Sequence, residues 1–155
     1  MKIIFLDFDG VMTTRNFVEG LYHQGKKYTD IFGTIFKQDS VELLKDIIEN
    51  TDAHIVITSD WRNHFGLIGL KIMWFYRKLP GSIYGILPKG YKARTTLIEE
   101  WLLNHKNVTA YVIIDDLPEN QFMPKQRDFL LSINPHTGLN HEISQKAILL
   151  LNLKN

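Results

Sequence analysis

The sequence predicts an α/β sandwich built on a central, mostly parallel sheet, and three observations carry that expectation. Short apolar runs (Ile3-Ile4-Phe5-Leu6, Ile55-Val56-Ile57 and Val112-Ile113-Ile114) alternate with longer amphipathic stretches. That is the pattern of strands buried on both faces and joined by crossover helices. Each run ends in polar residues, at Asp7, Thr58-Ser59 and Asp115 in turn, where parallel sheets gather their chemistry. The 155 residues, 45% hydrophobic and 23% charged, suffice for one domain with its own core, so 1–155 is read as a single domain.

The elements follow in order. Residues 2–7 form the first strand, too short for a helix and without a polar face. Residues 12–38 are polar, carry Gly20, Gly25 and Gly33 among scattered aromatics, and read as a loop with a hairpin. A helix opens at Asp39, with Glu42 in the capping-box position, and Val41, Leu44, Ile47 and Ile48 give its apolar stripe. Residues 54–58 form the second strand, and 63–78 a strongly apolar helix that Pro80-Gly81 stops. Thr96 and Glu99 make another capping-box pattern, for a helix reaching His105. Strands at 111–114 and 129–133, a turn at 134–138 and a helix at 141–153 complete the chain.

Composition excludes several classes of function. Eighteen basic residues against seventeen acidic ones leave a net charge of +1, so the chain is no global polyelectrolyte. The absence of cysteine removes disulfide scaffolds, thiolate zinc sites and thiol catalysis. The six histidines show no metal-ligand spacing. No apolar run approaches the roughly 18 residues of a membrane span. The first residues do not read as a signal peptide, so a cytoplasmic chain with no membrane partner is expected.

The strand ends are the chemical signal. Period-two alternation points Asp7 and Asp9 the same way, and Gly10 lets the chain turn sharply after them. With Asp115 and Asp116, these carboxylates converge on one crevice and repel each other. A hard divalent cation resolves the repulsion, and oxygen-only ligands select Mg²⁺. Each signal alone has a bland reading: Asp-x-Asp-Gly as a turn, Asp-Asp as a loop start, Thr-Ser as a cap. Their conjunction at successive strand ends is much harder to reach by accident.

The stretch Phe5-Leu-Asp-Phe-Asp-Gly-Val11 resembles the first motif of the haloacid dehalogenase superfamily, whose members are mostly Mg²⁺-dependent phosphohydrolases. Ile55-Val-Ile-Thr58-Ser59 resembles the second motif, and Val112-Ile-Ile-Asp115-Asp116 the fourth. Ser59-Asp-Trp-Arg62, Arg94 to Leu102, and Asn134 to Leu139 resemble a narrower group, the compact domains associated with Swiss Army Knife RNA repair proteins. The resemblance implies a three-layer Rossmannoid sandwich without a full cap domain, because the spacers after the first and second motifs are too small for one.

It also implies roles. Asp7 would be the nucleophile that forms an aspartyl-phosphate, and Asp9 the general acid and base. Asp7, the Asp9 carbonyl and a carboxylate of Asp115-Asp116 would hold Mg²⁺. Thr58 or Ser59 would bind the transferring phosphoryl group, a choice the sequence leaves open. The third-motif cation would be Arg94, which aligns with a basic residue of the narrower group, with Lys92 second and Lys89 also competing.

Between Asp60 and Glu99 there is no acidic residue, yet Arg62, Lys71, Arg77, Lys78, Lys89, Lys92 and Arg94 lie there, with Trp61, Phe65, Trp74, Phe75, Tyr76, Tyr84 and Tyr91 interleaved. This stretch reads either as a cationic rim guiding a polyanion or as the solvated face of a core helix. Arg62, just past a strand end, is the cation expected to touch substrate phosphate, with Gly10 beside it in the phosphate crevice. The expected activity is an Mg²⁺-dependent phosphatase acting on a phosphorylated substrate, with RNA or DNA ends as candidates. The alternatives are a small-metabolite phosphatase and a non-catalytic binding module of the same fold. A signalling receiver domain is disfavoured, since its paired acids come first in the chain and here Asp115-Asp116 comes late.

Overall fold

The computed structural model describes residues 1–90 and 92–153; Tyr91, counted above among the interleaved aromatics, lies outside them. The elements are β1 (Lys2–Leu6), α1 (Arg15–His23), β2 (Thr29–Asp30), β3 (Gly33–Thr34), α2 (Gln38–Thr51), β4 (His54–Ile57) and α3 (Trp61–Tyr76). They continue with β5 (Ile83–Ile86), α4 (Arg94–Asn104), β6 (Ala110–Asp115), α5 (Pro124–Arg127), β7 (Leu130–Ser132) and α6 (His141–Asn152). A five-stranded sheet runs in the order β5-β4-β1-β6-β7, and every pairing in it is parallel.

Strands buried on both faces need helices on both sides, and the core divides accordingly. Ile4, Leu6, Ile55, Ile57, Val112 and Ile114 face α2, α3 and α6, meeting Leu44, Ile47, Leu70, Met73, Ala147 and Leu151. Ile3, Phe5, Val56 and Ile113 face the other way, onto Leu97, Ile98 and Trp101 of α4. The result is the expected three-layer sandwich. The spacer after β1 holds α1 and the β2-β3 hairpin, and that after β4 holds α3 and β5. Neither spacer forms a separate lid domain among the described residues.

The structure departs from the sequence expectations locally. Residues 15–23 are a helix rather than loop, capped by the Thr14 side chain accepting from the Phe17 N–H. None of its residues is fully buried; its apolar stripe, Phe17, Val18 and Leu21, is short, half-buried and interrupted by Gly20, a poor helix former. The strand β5 was not expected; Gly85 and its edge position weaken its pattern. Both capping boxes dissolve because the helices begin earlier. Lys37 and Ala93 occupy the cap positions, neither with a side-chain cap bond. Helix α3 is broken at Gly66, whose φ of 64° sits in the left-handed region that glycine alone enters freely.

Arg77 ties these spacers together. Its Nε and Nη2 donate to the two Asp30 carboxylate oxygens, each at 2.8 Å, and its guanidinium lies over the Phe36 ring at 4.8 Å and the Trp61 ring at 5.6 Å. Arg77 is thus an internal clamp between the hairpin and the end of α3, with 7% of its side chain exposed, and no part of a cationic rim. Arg77→Ala strands the Asp30 charge and is expected to cost about 3 kcal/mol in urea unfolding. Adding Asp30→Asn should recover part of that loss, and an Arg77→Ala chain as stable as the parent would contradict the clamp.

Candidate active site

Parallel register builds the site. Leu6 pairs with Ile57 on one side and with Ile114 on the other, so the next residues, Asp7, Thr58 and Asp115, stand level across three adjacent strands. In-register residues of a parallel sheet point to the same face, here the face that α4 covers. The ladder continues through this row, with Asp7 N–H donating to Ile114 O at 3.1 Å and Thr58 N–H to Leu6 O at 2.9 Å. Thr58 therefore shares the face of the two carboxylates. Its Oγ1 is buried and has no hydrogen-bond partner. Ser59 is equally buried, and its Oγ accepts from the Trp61 N–H at 3.4 Å.

Arg94, the first residue of α4, lies across the row. Its Nη1 donates to Asp7 Oδ2 at 2.8 Å and to Asp115 Oδ2 at 2.5 Å. Burial alone would lower the guanidinium pKa, but the Asp7 and Asp115 charges raise it above its ordinary value, so Arg94 stays cationic. The other Asp115 oxygen accepts from the Leu117 N–H at 2.9 Å. Even so, burial and then the Asp7 charge push the Asp115 carboxyl up to about 6. Burial and Asp7 raise Asp116 as well. Oxygens of Asp7, Asp115 and Asp116 lie within 4.8 Å of one another, a hard, all-oxygen donor set that fits a divalent cation.

Gly10 has φ 77°, and a Cβ there would run into the Asp116 carboxyl carbon at 2.7 Å. A glycine is needed both for the turn and for the close approach of Asp116. The turn that contains it is stitched by Met12 and Thr13 N–H groups on Phe8 O. Asp9 stands on this turn, exposed, outside the Asp7–Asp115–Asp116 cluster. Its Oδ2 accepts from the indole Nε1–H of Trp61 at 3.0 Å. Partial burial raises the Asp9 pKa and the Trp61 bond opposes that rise, leaving it above the ordinary value.

The cations of the basic stretch separate into distinct places. A cavity of about 650 Å³ beside the carboxylates is lined by Arg62, Asn63, Lys89, Lys92 and Arg94. Lys92 there pairs with Glu100 at 2.7 Å and stays exposed. Arg62 is 2% exposed. Its Nη1 donates to Thr58 O at 2.6 Å and to Asp60 Oδ1 at 2.9 Å, and its Nε to Pro88 O, so it braces the end of β4 while walling the cavity. Lys71 and Lys78 line a separate depression with Trp74 and Phe75. On the Asp9 side, Ile31, Phe32, Trp61, His64 and Phe65 line an aromatic groove of about 560 Å³. Trp61 is the residue that sequence reasoning passed over. Its signal was its place two residues past the Thr58-Ser59 strand end, where an indole N–H can reach a neighbouring strand's acid.

The family described as HAD domain in Swiss Army Knife RNA repair proteins matches residues 3–143. The chain belongs to that family, and its capless sandwich is a HAD-like fold. No curated protein and no solved structure matches the chain.

The carboxylate cluster makes the metal-free protein pH-sensitive in a defined direction. The folded Asp115 holds a proton up to about pH 6 that the unfolded chain releases near about pH 4. The stability it contributes therefore falls as pH rises through that window. In chelator, Asp115→Asn should gain on the parent in urea unfolding as pH climbs from about 4 to 6. A difference that stays flat across the window would contradict the burial and repulsion assigned to Asp115.

Proposed function

We propose that the chain is an Mg²⁺-dependent phosphatase that works through a phosphorylated Asp7, with nucleic-acid ends as its substrates. The observation that carries this reading is the level row of Thr58, Asp7 and Asp115 with Arg94 across it. A carboxylate nucleophile splits hydrolysis into two easier displacements. An Asp7 oxygen attacks phosphorus and the bond to the leaving oxygen breaks, while that oxygen takes the proton of Asp9. Asp9, now a carboxylate, takes a proton from water as the water attacks phosphorus. The bond to Asp7 then breaks, releasing phosphate with both residues restored.

The remaining residues position and neutralise. Arg94 holds Asp7 by Oδ2 and adds positive charge where two anions meet. Thr58 Oγ1, buried and unpartnered, is the donor for a phosphoryl oxygen, in preference to Ser59. Asp7, the Asp9 carbonyl and the Asp115-Asp116 pair would hold Mg²⁺, which supplies charge neutralisation of the phosphoryl oxygens when bound. Gly10 admits Asp116 to this set. Arg62 shapes the crevice wall rather than leading the contact with phosphate.

Two flanks of the open crevice support nucleic acid. Lys89 and Lys92 are exposed on the cationic wall, suited to phosphates beyond the one removed. The groove of Phe32, Trp61 and Phe65 offers π-faces on which a base can stack.

Asp7→Asn should lower turnover by orders of magnitude with folding intact, and chelation should abolish activity that Mg²⁺ restores. Normal turnover in either case overturns the chemistry. Lys89→Ala with Lys92→Ala should cost a phosphorylated oligonucleotide more kcat/KM than a small phosphate ester, and should make the oligonucleotide's salt dependence shallower. Equal losses on both substrates would point to a small metabolite instead.

A further inference from the structure

Asp9 and Trp61 come from different strand ends, 52 residues apart in sequence, and meet through one hydrogen bond of 3.0 Å. Asp9 is exposed on a turn, where an aspartate ordinarily samples several rotamers. Trp61 is the opposite. Its ring packs edge-on to Phe8 at 5.5 Å and against Phe36 and Phe65 at 5.9 and 6.0 Å. The Arg77 guanidinium, clamped by Asp30, lies over it at 5.6 Å. Gly66 ends the short helical run that begins at Trp61, so this first turn is oriented by its aromatic packing and not by the axis of the rest of α3. The indole N–H is a single donor with a fixed direction, and it is spent on Asp9.

We infer that Trp61 is a positioning residue: it fixes the Asp9 carboxyl toward the leaving-group oxygen, and the Arg77–Asp30 clamp holds Trp61 in place to do so. This rests on the reading of Asp9 as the proton donor. A positioned general acid matters in proportion to how badly the leaving oxygen needs a proton. An alkoxide needs it, and p-nitrophenolate hardly does.

The test compares glycerol phosphate with p-nitrophenyl phosphate in the full chain with Mg²⁺. Trp61→Phe keeps the ring and removes the N–H. It should lower kcat/KM, which reports only the steps up to departure of the leaving group, about tenfold on the alkyl ester while changing kcat/KM on the aryl ester less than about twofold, a part of the roughly 10²–10⁴-fold that general acids supply. Asp9→Asn should shift the same ratio further, and the double variant should do no more than Asp9→Asn alone. Equal loss on both esters, or no loss on either, overturns the role of Trp61. An unchanged ratio in Asp9→Asn overturns instead the reading of Asp9 on which it rests. Should Trp61→Phe fail to fold, the indole N–H resonance decides. A shift between parent and Asp9→Ala, which removes the acceptor, supports the contact, and an unmoved resonance removes it and the inference together.

Discussion

Everything in the crevice depends on one electrostatic constraint, the need to keep carboxylates ionised at the buried ends of adjacent parallel strands. Asp7 and Asp115 have 7% and 0% of their side chains exposed, and an uncompensated buried carboxylate costs several kcal/mol. Arg94 meets both with one guanidinium nitrogen. That bridge requires the first turn of α4 to sit against the carboxyl end of β1 and β6. The apolar residues Leu97, Ile98 and Trp101 that follow it are the ones that cover the sheet's second face. Site and core are therefore solved by the same helix.

The second constraint is the lack of a lid. Among the described residues no inserted domain encloses the crevice, so its own flanks are what it presents, and the two differ in chemistry. One is cationic, with Lys89 and Lys92 beside Arg62. The other is aromatic and continuous with the packing that fixes Trp61. The hairpin of β2 and β3 belongs to this second flank, and it is held there by Arg77 and Asp30. Helix α3 thus contributes at both ends: its start frames the crevice, and its end anchors the hairpin that borders it.

The sheet's inner strands were readable because burial on both faces leaves uninterrupted apolar runs, and the acids that close them stand out by contrast. The edge strand β5 was not, since Tyr84 and Gly85 blur its pattern. Nor was α1, whose short stripe of Phe17, Val18 and Leu21 is interrupted by Gly20. Which of Thr58 and Ser59 stands level with Asp7 needed the register of β1 against β4, which is a property of the pairing and not of either strand. Charge misled most. Arg77 reads as a surface cation because its partner, Asp30, lies 47 positions away. Trp61 was seen as one aromatic among many, because a single indole hydrogen bond leaves no periodicity behind.

The central claim is that Asp7 itself carries the phosphoryl group between the two displacements. The direct measurement is peptide mass spectrometry of protein quenched in acid during turnover with p-nitrophenyl phosphate and Mg²⁺. The account predicts a hydroxylamine-labile phosphate on the peptide containing Asp7, absent in Asp7→Asn. Turnover with no labelled peptide, or with the label on any other residue, would contradict it.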